Sequence, residues 1–363
     1  MARLLSMDLQ RGCTRMGHSR HLEPSSAAEV QKGAPSMRQY GDATTADEVL
    51  EGFDLAGRQV AITGAASGLG RESARALASH GASVMVLARS RDRATGAVEE
   101  IKALVPTATV EFGVVDLADL STIRSFADTY MATHEKIDVL INNAGVMACP
   151  FGRTVDGFET QFGTNHLGHF LLTALLYPAL LGSSSPRVVT LSSGGHARSD
   201  VDLVDPNFET TEYSPWTGYA RSKTANALFA RELARRGGRR GVLSFSVHPG
   251  AVHTDLGRYL TDELINEMTK QADERVAAAA TEGDESGGRI TWKTVEAGAA
   301  TQVWAATAPE LADHNGAYLA DCGLGVLGGN PGVNGFLPYL LDDDHAAELW
   351  DLSEDLVGAT FAP

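Results

Sequence analysis

The sequence predicts an α/β fold: a doubly wound, parallel sheet of about seven strands with helices on both faces. Three observations predict it. From Gln59 onward, short β-branched runs alternate with longer helical patterns, which is typical of βαβ units. A glycine-rich turn joins the first of these strands to the helix after it. With 363 residues, 43% of them hydrophobic, the chain can bury one large core.

The predicted elements alternate along the chain. We expect strands at residues 59–63, 83–88, 110–115, 137–141, 187–191, 242–247 and 317–320. We expect helices at residues 69–80, 91–104, 120–134, 157–181, 219–236 and 295–306, with right-handed crossovers between parallel strands. Residues 255–290 interrupt this order. Because ligands bind beyond the carboxyl ends of strands in such sheets, we interpret this insert as a substrate lid.

The first 48 residues differ from the rest of the chain. Through residue 41 five arginines outnumber three acids, and no apolar periodicity is sustained. We therefore expect residues 1–48 to be a disordered extension ahead of a single domain at residues 49–363. Two origins stay open: a transit peptide, or residues upstream of a true start at Met37, which we favour.

Bulk properties exclude several classes of protein. The formal net charge of −16 argues against sequence-independent nucleic-acid binding, which needs clustered lysine and arginine. Cys13, Cys149 and Cys322 are far apart and the histidines lack metal-ligand spacing, so we expect no metal and a reducing compartment. The longest apolar run, residues 170–181, is too short to cross a bilayer. We expect a cytoplasmic protein with no membrane span.

The glycine-rich turn at residues 63–70 predicts a dinucleotide site. Gly64, Gly68 and Gly70 let backbone N–H groups approach a pyrophosphate at a helix N-terminus, with Ser67 and Leu69 between them. The alternative is a tight loop without a ligand. The hydrophobic strand before the turn and the helix after it favour the nucleotide.

The end of the second strand indicates which dinucleotide binds. Where an NAD enzyme holds the ribose hydroxyl with an acid, the sequence has Leu87-Ala88-Arg89. Arg89 offers a planar fork to a 2′-phosphate, and Arg71 is expected to add charge. NADP (NADPH) is therefore predicted over NAD, although Arg89 could also be a solvated residue at a helix start.

Two further patterns carry groups suited to proton transfer. Tyr219 and Lys223 lie four residues apart, hence on one helix face, and a nearby ammonium is expected to lower the pKa of a phenol. A surface pair is the alternative. The strand before residue 192 ends in two serines, so one hydroxyl, at Ser193 or at Ser192, can meet a substrate carbonyl.

Taken in order, residues 63–254 resemble the short-chain dehydrogenase/reductase family. The shared motifs are the TGxxxGxG turn, Asn142-Asn143-Ala144-Gly145, the serine pair, the Tyr219–Lys223 spacing and a Pro-Gly turn. The Leu191-Ser192-Ser193 stretch with His196, and Trp304 and residues 349–352, resemble the branch that holds retinol dehydrogenases and WW-domain oxidoreductases. The resemblance implies a Rossmann-type fold.

The resemblance also implies residue roles. Asp116 and Leu117 would meet the adenine, Asn143, Ala144 and Gly145 would line the cofactor, and Pro249, Gly250 and Thr254 would lie at the nicotinamide. Ser193 rather than Ser192 would be catalytic, with Tyr219 as acid/base and Lys223 also holding the ribose. Asn165 would hold a water that relays protons to Lys223. Two alternatives stay open: Asp116 as a helix cap, and Asn165 as a satisfied core group.

These patterns predict an NADP(H)-dependent oxidoreductase that interconverts an apolar aldehyde or ketone and the matching alcohol. The alternative function is an NADP-binding sensor or scaffold without turnover, which has no need of the tyrosine–lysine pair. A sugar-nucleotide epimerase is disfavoured by the glycine spacing. The insert between Ser193 and Tyr219 carries Phe208, Tyr213, Pro215 and Trp216, which we expect to wall the pocket and to hinder a helix-to-helix homo-oligomer. No role is assigned to His196, His248 or His253.

Overall fold

The computed structural model describes residues 40–281 and 291–363, and residues Tyr40–Pro363 form one compact unit. The folded unit therefore begins before the predicted boundary at residue 49. Thr45 accepts from the backbone N–H of Glu48 to cap a short helix whose Ala46 is fully buried. The disorder predicted for residues 1–39, and the last part of the predicted lid, lie outside the described residues.

The described strands include all seven that the sequence predicts, with shifts of one or two residues at some ends. They are β1 (Gln59–Thr63), β2 (Ser83–Ala88), β3 (Thr109–Val114), β4 (Val139–Asn142), β5 (Arg187–Leu191), β6 (Leu243–His248), β7 (Ala251–Val252), β8 (Trp292–Lys293), β9 (Tyr318–Ala320), β10 (Gly323–Leu324), β11 (Val326–Leu327) and β12 (Gly335–Phe336).

Eight of these strands form one sheet in the order β10-β9-β6-β5-β4-β1-β2-β3. Every neighbouring pair is parallel except β9 and β10, which form an antiparallel edge that the sequence did not predict. The order reverses between β1 and β4, as a doubly wound sheet requires. The predicted α/β fold is confirmed. Two small parallel pairs, β7 with β8 and β11 with β12, lie outside the main sheet.

Helices cover both faces of the sheet. They are α1 (Ala46–Leu50), α2 (Gly68–Ser79), α3 (Arg91–Leu104), α4 (Leu120–Thr133), α5 (Thr160–Phe162), α6 (Gly168–Leu181), α7 (Pro215–Gly237), α8 (Asp262–Thr281), α9 (Val295–Thr307) and α10 (Asp343–Val357). The single helix predicted at residues 157–181 is interrupted: a π-helical turn at Gly163–Leu167 separates α5 from α6. α1 and α10 were not predicted.

Alternating strand residues divide the core into two apolar layers. Val60 and Ile62 of β1 pack in the layer covered by α1, α2, α3 and α9, whereas Ala61 between them packs in the layer covered by α4, α6, α7 and α10. In the second layer Trp350 of α10 stacks on Phe229 of α7, with ring centroids 5.8 Å apart. A sheet buried on both faces leaves its strand ends as the place for a ligand.

Candidate active site

A cavity of about 1090 Å³ opens at the carboxyl ends of the strands. Its lining contains most of the predicted site residues: Gly64, Ser67, Gly68, Leu69, Arg89, Asp116, Leu117, Asn143, Ala144, Gly145, Ser193, Tyr219, Lys223, Pro249, Gly250 and Thr254. Gly70 and Asn165 are not part of the lining. A smaller cavity of about 290 Å³, between α7 and β9, contains none of the predicted residues.

The glycine turn needs its glycines for close packing as well as for ligand access. Gly64 and Gly68 have φ angles of +66° and +55°, which favour glycine. A β-carbon on Gly64 would lie 2.9 Å from the Cα atom of Ala144, and one on Gly70 would lie 2.5 Å from Nδ2 of Asn143. Asn143 Nδ2 donates to the Thr63 carbonyl at 2.8 Å. Gly70 therefore packs the turn against the loop after β4 and does not face the cavity.

The start of α2 fits an anionic group. Ser67 precedes this helix and makes no side-chain capping hydrogen bond, whereas Ser90 and Asp119 cap α3 and α4 with theirs. The first N–H groups of α2 therefore lack a side-chain acceptor from the described residues, at a point where Gly68 and Leu69 line the cavity. The N-terminal charge of a helix and its free N–H groups suit a pyrophosphate.

Two arginines lie where the adenosine end of a dinucleotide would be. Arg89 directly follows β2 and Arg93 lies in the first turn of α3; both are exposed and both line the cavity. Arg93 was not predicted, although it lies only four residues after Arg89, at the start of the helix predicted over residues 91–104. Arg71 instead forms an ion pair with Glu100 and is absent from the lining, so the charge expected from it is not found there.

Asp116 lines the cavity and does not cap the next helix. Its Oδ1 accepts from the backbone N–H of Ala118 at 3.0 Å, while Asp119 caps α4 by accepting from the Ser121 N–H at 3.0 Å. Leu117 is largely buried beside it. The capping alternative for Asp116 is therefore wrong, and contact with adenine stays a prediction.

Ser193, Tyr219 and Lys223 meet at one wall of the cavity. A β-carbon on Gly195 would lie 2.9 Å from Cε1 of Tyr219 and 3.3 Å from Oγ of Ser193, so both side chains border the same point. Lys223 Nζ lies 5.7 Å from the Tyr219 ring centroid and donates to the Leu191 carbonyl at 2.9 Å. The two hydroxyls and the Lys223 side chain are therefore close enough to act at one atom of a substrate.

The two serines are distinguished by their hydrogen bonds. Ser192 donates to the Lys223 carbonyl at 2.8 Å and is buried. Ser193 accepts from the Gly195 N–H at 3.0 Å, and its hydroxyl also forms a hydrogen bond with the Tyr219 phenol. The geometry therefore favours Ser193 as the substrate-facing hydroxyl.

Burial dominates the acid–base properties of this wall. It raises the pKa of Tyr219 to about 12, and the Ser193 hydroxyl opposes this rise by a smaller amount. Burial also lowers the pKa of Lys223 to about 7. The expected lowering of the Tyr219 pKa by Lys223 is therefore not found, because removing the phenolate from water dominates the shift.

Asn165 lies behind the cavity wall, in the π-helical turn. Its Oδ1 accepts from the Val146 N–H at 2.8 Å, and its Nδ2 donates to the Val146 carbonyl and to Ser222 Oγ, both at 2.9 Å. The side chain therefore clamps the loop after β4 to α7, which agrees with a satisfied core group. The predicted water relay to Lys223 stays a prediction.

A buried histidine joins this turn to the end of β1. His169 Nδ1 donates to the Asn165 carbonyl at 2.8 Å, so its Nε2, 2.8 Å from Thr63 Oγ1, accepts the hydroxyl proton. Thr63 Oγ1 in turn accepts from the N–H groups of Asn143 and Ala144. Burial lowers the pKa of His169 to about 4, which keeps it neutral. The sequence did not predict this hydrogen-bond network between His169 and Thr63.

Apolar groups line the other side of the cavity. They are Met147, Trp216, Leu260, Ile265 and Met268. Trp216 and Tyr219 pack with Leu264 and Met268 of α8. This helix of the predicted lid therefore packs against the cavity wall that contains Tyr219. Of the four insert residues expected to wall the pocket, only Trp216 does so. Phe208 and Tyr213 pack against each other instead, with ring centroids 5.0 Å apart.

Two predicted absences can be compared with the described residues. These contain no group of three or more His, Cys, Asp or Glu side chains that could hold a metal ion. In the described parts of the chain, no helix has the length and hydropathy needed to cross a membrane. The predicted cytoplasmic location and the oligomeric state stay predictions.

Comparison with known proteins identifies relatives of this site. A sequence model of the family described as short chain dehydrogenase matches residues 58–264. Human retinol dehydrogenase 13 is 35% identical over 343 residues, covering 94% of this chain and 96% of the relative. The crystal structure of an uncharacterised protein from Mycobacterium paratuberculosis is 36% identical with a TM-score of 0.63, covering 85% of this chain and 96% of that one.

A further similar structure contains a nucleotide. It is a Beutenbergia cavernae protein described as an NAD(P)-dependent gluconate 5-dehydrogenase with bound NADP at low occupancy. It is 28% identical to this chain with a TM-score of 0.55, and the match covers 74% of this chain and 96% of that one.

Proposed function

Because the chain belongs to the short-chain dehydrogenase/reductase family, in its retinol dehydrogenase-like branch, we propose that it uses NADP(H) to interconvert an apolar aldehyde or ketone and the matching alcohol. The family makes it an oxidoreductase acting on CH–OH groups. One observation carries the finer proposal: Ser193, Tyr219 and Lys223 line the same cavity as the glycine turn and two arginines.

The cofactor preference rests on charge. Arg89 and Arg93 present two guanidinium groups at the end of β2, where a carboxylate would otherwise hold the ribose 2′-hydroxyl of NAD. Arginine binds phosphate through paired, charge-assisted hydrogen bonds. NADP bound in the Beutenbergia cavernae relative agrees with this preference.

The chemistry rests on the protonated state of Tyr219. NADPH, when bound, supplies the hydride. Tyr219 holds its proton at neutral pH because burial raises its pKa to about 12, so it can donate that proton to the oxygen of the substrate as charge develops there. Ser193 donates a hydrogen bond to the same oxygen and fixes its position. Lys223 lies beside the phenol and would hold the ribose of the bound cofactor.

The substrate class rests on the apolar wall. Met147 and Trp216 offer apolar surface next to the reacting groups, and Met268 of α8 packs over them with its adaptable, polarisable side chain. We therefore assign residues 255–281 the role of a lid that closes over an apolar substrate. Closure excludes water, which strengthens the hydrogen bonds made to the substrate oxygen.

The test measures oxidation of NADPH and of NADH by the native protein, across apolar and polar aldehydes and ketones. The expected result is turnover of apolar carbonyls with NADPH preferred over NADH. Equal use of NADH would overturn the cofactor proposal, and preference for polar carbonyls would overturn the substrate class. Tight NADPH binding without turnover of any carbonyl or alcohol would favour a sensor or scaffold.

A further inference from the structure

A partly buried ion pair lies next to the loop that follows β6. Lys293 Nζ, on β8, donates to Oδ1 of Asp321, and the two side chains are 6% and 18% exposed. Neither residue lines the cavity. Removing one partner of such a pair leaves the other charge only partly hydrated and without its counter-charge, so the pair is sensitive to single substitutions.

The lysine stem supports Gly250 directly. A β-carbon on Gly250 would lie 2.7 Å from Lys293 Cε and 2.9 Å from its Cδ, and Gly250 has a φ of +84°. β8 also pairs with β7, so that Val252 lies opposite Lys293. The position of Lys293 therefore fixes the backbone of the loop on two sides.

Asp321, the other partner of the ion pair, lies in a strained turn. Asp321 and Cys322 form the two-residue connection between β9 and β10, with φ values of 51° and 52°. Two consecutive left-handed residues form a type I′ turn, for which Asn-Gly or Asp-Gly is the usual sequence. A non-glycine residue in this conformation is strained by its β-carbon. Such strain persists where the surrounding structure fixes it, and functional sites are where it concentrates.

The sheet brings these elements together. β6 and β9 are neighbouring parallel strands, with His248 opposite Ala320. Their carboxyl ends therefore place Gly250, two residues after His248, beside Asp321, which follows Ala320. Cys322 is fixed to α9 by a hydrogen bond from its N–H to Thr301 Oγ1 at 3.2 Å.

We propose that Lys293 and Asp321 are positioning residues, whose ion pair holds the loop at residues 249–254 in the conformation that receives the nicotinamide end of the cofactor. The inference rests on the proposed function, since it requires a dinucleotide in the large cavity. The pair acts through Gly250 and Val252 and does not touch the ligand. Its loss is expected to weaken contacts at the nicotinamide end and to spare those at the glycine turn and at Arg89.

The test compares two ligands. NADPH spans the whole site, whereas adenosine 2′,5′-bisphosphate lacks the nicotinamide end. Asp321→Asn removes the charge and keeps a residue that tolerates the left-handed turn. Asp321→Gly removes the charge and also relieves the backbone strain, which offsets the loss of folding stability caused by losing the ion pair. Asp343→Asn is the matched control, because Asp343 pairs with Arg231 on the surface, away from the large cavity.

The test measures the dissociation constant of each ligand and the thermal midpoint of unfolding for the native protein and each variant. Both Asp321 variants are expected to raise the dissociation constant of NADPH on the order of tenfold, with that of the bisphosphate unchanged, even where Asp321→Gly keeps the native thermal midpoint. Asp343→Asn should change neither constant. Equal weakening of both ligands, or no weakening of either, would overturn the inference. A native protein that binds neither ligand would overturn the proposed function, and this inference with it.

Discussion

At the scale of single residues, burial decides what the reacting groups can do. Tyr219 and Lys223 are 4% and 3% exposed, and burial moves the pKa of the phenol up and that of the ammonium down. Both shifts favour neutral groups at pH 7. A protonated phenol can donate its proton to a substrate oxygen, whereas accepting a proton from an alcohol needs the phenolate.

The two arginines at the end of β2 give a test at this scale. Replacing Arg89 and Arg93 together by serine should raise the KM for NADPH by roughly ten- to a hundredfold and leave that for NADH nearly unchanged, because at this exposed site their charge-assisted hydrogen bonds together contribute about 1.5–3 kcal/mol. Arg91→Ser is the matched control, since Arg91 lies over the Phe112 ring and not in the cavity lining. A similar loss with both cofactors would contradict the phosphate role.

Residues at fixed spacing could be predicted from the sequence, and residues paired across the fold could not. Tyr219 and Lys223 share one helix face, so their spacing alone brings them together. His169 could not be assigned because its partner Thr63 is 106 residues away. The direction of the Tyr219 pKa shift could not be predicted from the sequence either, since it depends on burial rather than on the neighbouring lysine.

At the scale of elements, the lid helix is attached to the catalytic loop by charge as well as by packing. Arg198, at the end of the 3₁₀ turn that follows Ser193, lies over the Trp216 ring at 4.6 Å from its centroid. Its Nη1 lies 3.4 Å from Oε1 of Glu267 on α8. The ion pair thus joins the lid to the loop that carries the substrate-facing serine.

Loosening this attachment should act on substrate binding. Glu267→Gln is expected to raise the KM for the carbonyl substrate up to about fivefold with kcat little changed, because a partly exposed ion pair contributes at most about 1 kcal/mol. Glu274→Gln removes an ion pair with Lys270 within the same helix and should leave KM unchanged. The same rise in both variants would mean that the Arg198 contact has no special part in closure.

At the scale of the whole molecule, the alternation of strands and helices was enough to predict the sheet, and short elements were missed. β10 has two residues and α1 has five, too few for a periodic pattern. The π-helical turn before α6 was missed because its residues continue the helical pattern. The cavity depends on strand order, which brings the ends of β1, β4, β5 and β6 to one edge.

Three buried histidines make the fold sensitive to acid. Burial lowers the pKa of His166 and His248 to about 3 and that of His169 to about 4. Between pH 6.5 and these values the unfolded chain binds more protons than the folded one, so stability falls as pH falls. Buried Glu159, whose pKa is raised, opposes this loss in part.

Urea unfolding at about pH 7 and about pH 5.5 measures this effect. The three histidines should together lower the free energy of unfolding by at most about 4 kcal/mol at the lower pH. In His166→Gln the pH-dependent part should shrink by about a third. The same pH-dependent change in His166→Gln as in the native protein would show that His166 is not buried in its neutral form.

The central claim is that Tyr219 transfers the proton while NADPH reduces a carbonyl. The most direct measurement follows NADPH oxidation with an apolar aldehyde in the native protein, in Tyr219→Phe and in Tyr130→Phe, whose hydroxyl bonds the Lys136 carbonyl away from the cavity. Turnover should fall by about a thousandfold in Tyr219→Phe alone, with its NADPH dissociation constant unchanged. Native turnover by Tyr219→Phe would contradict the account.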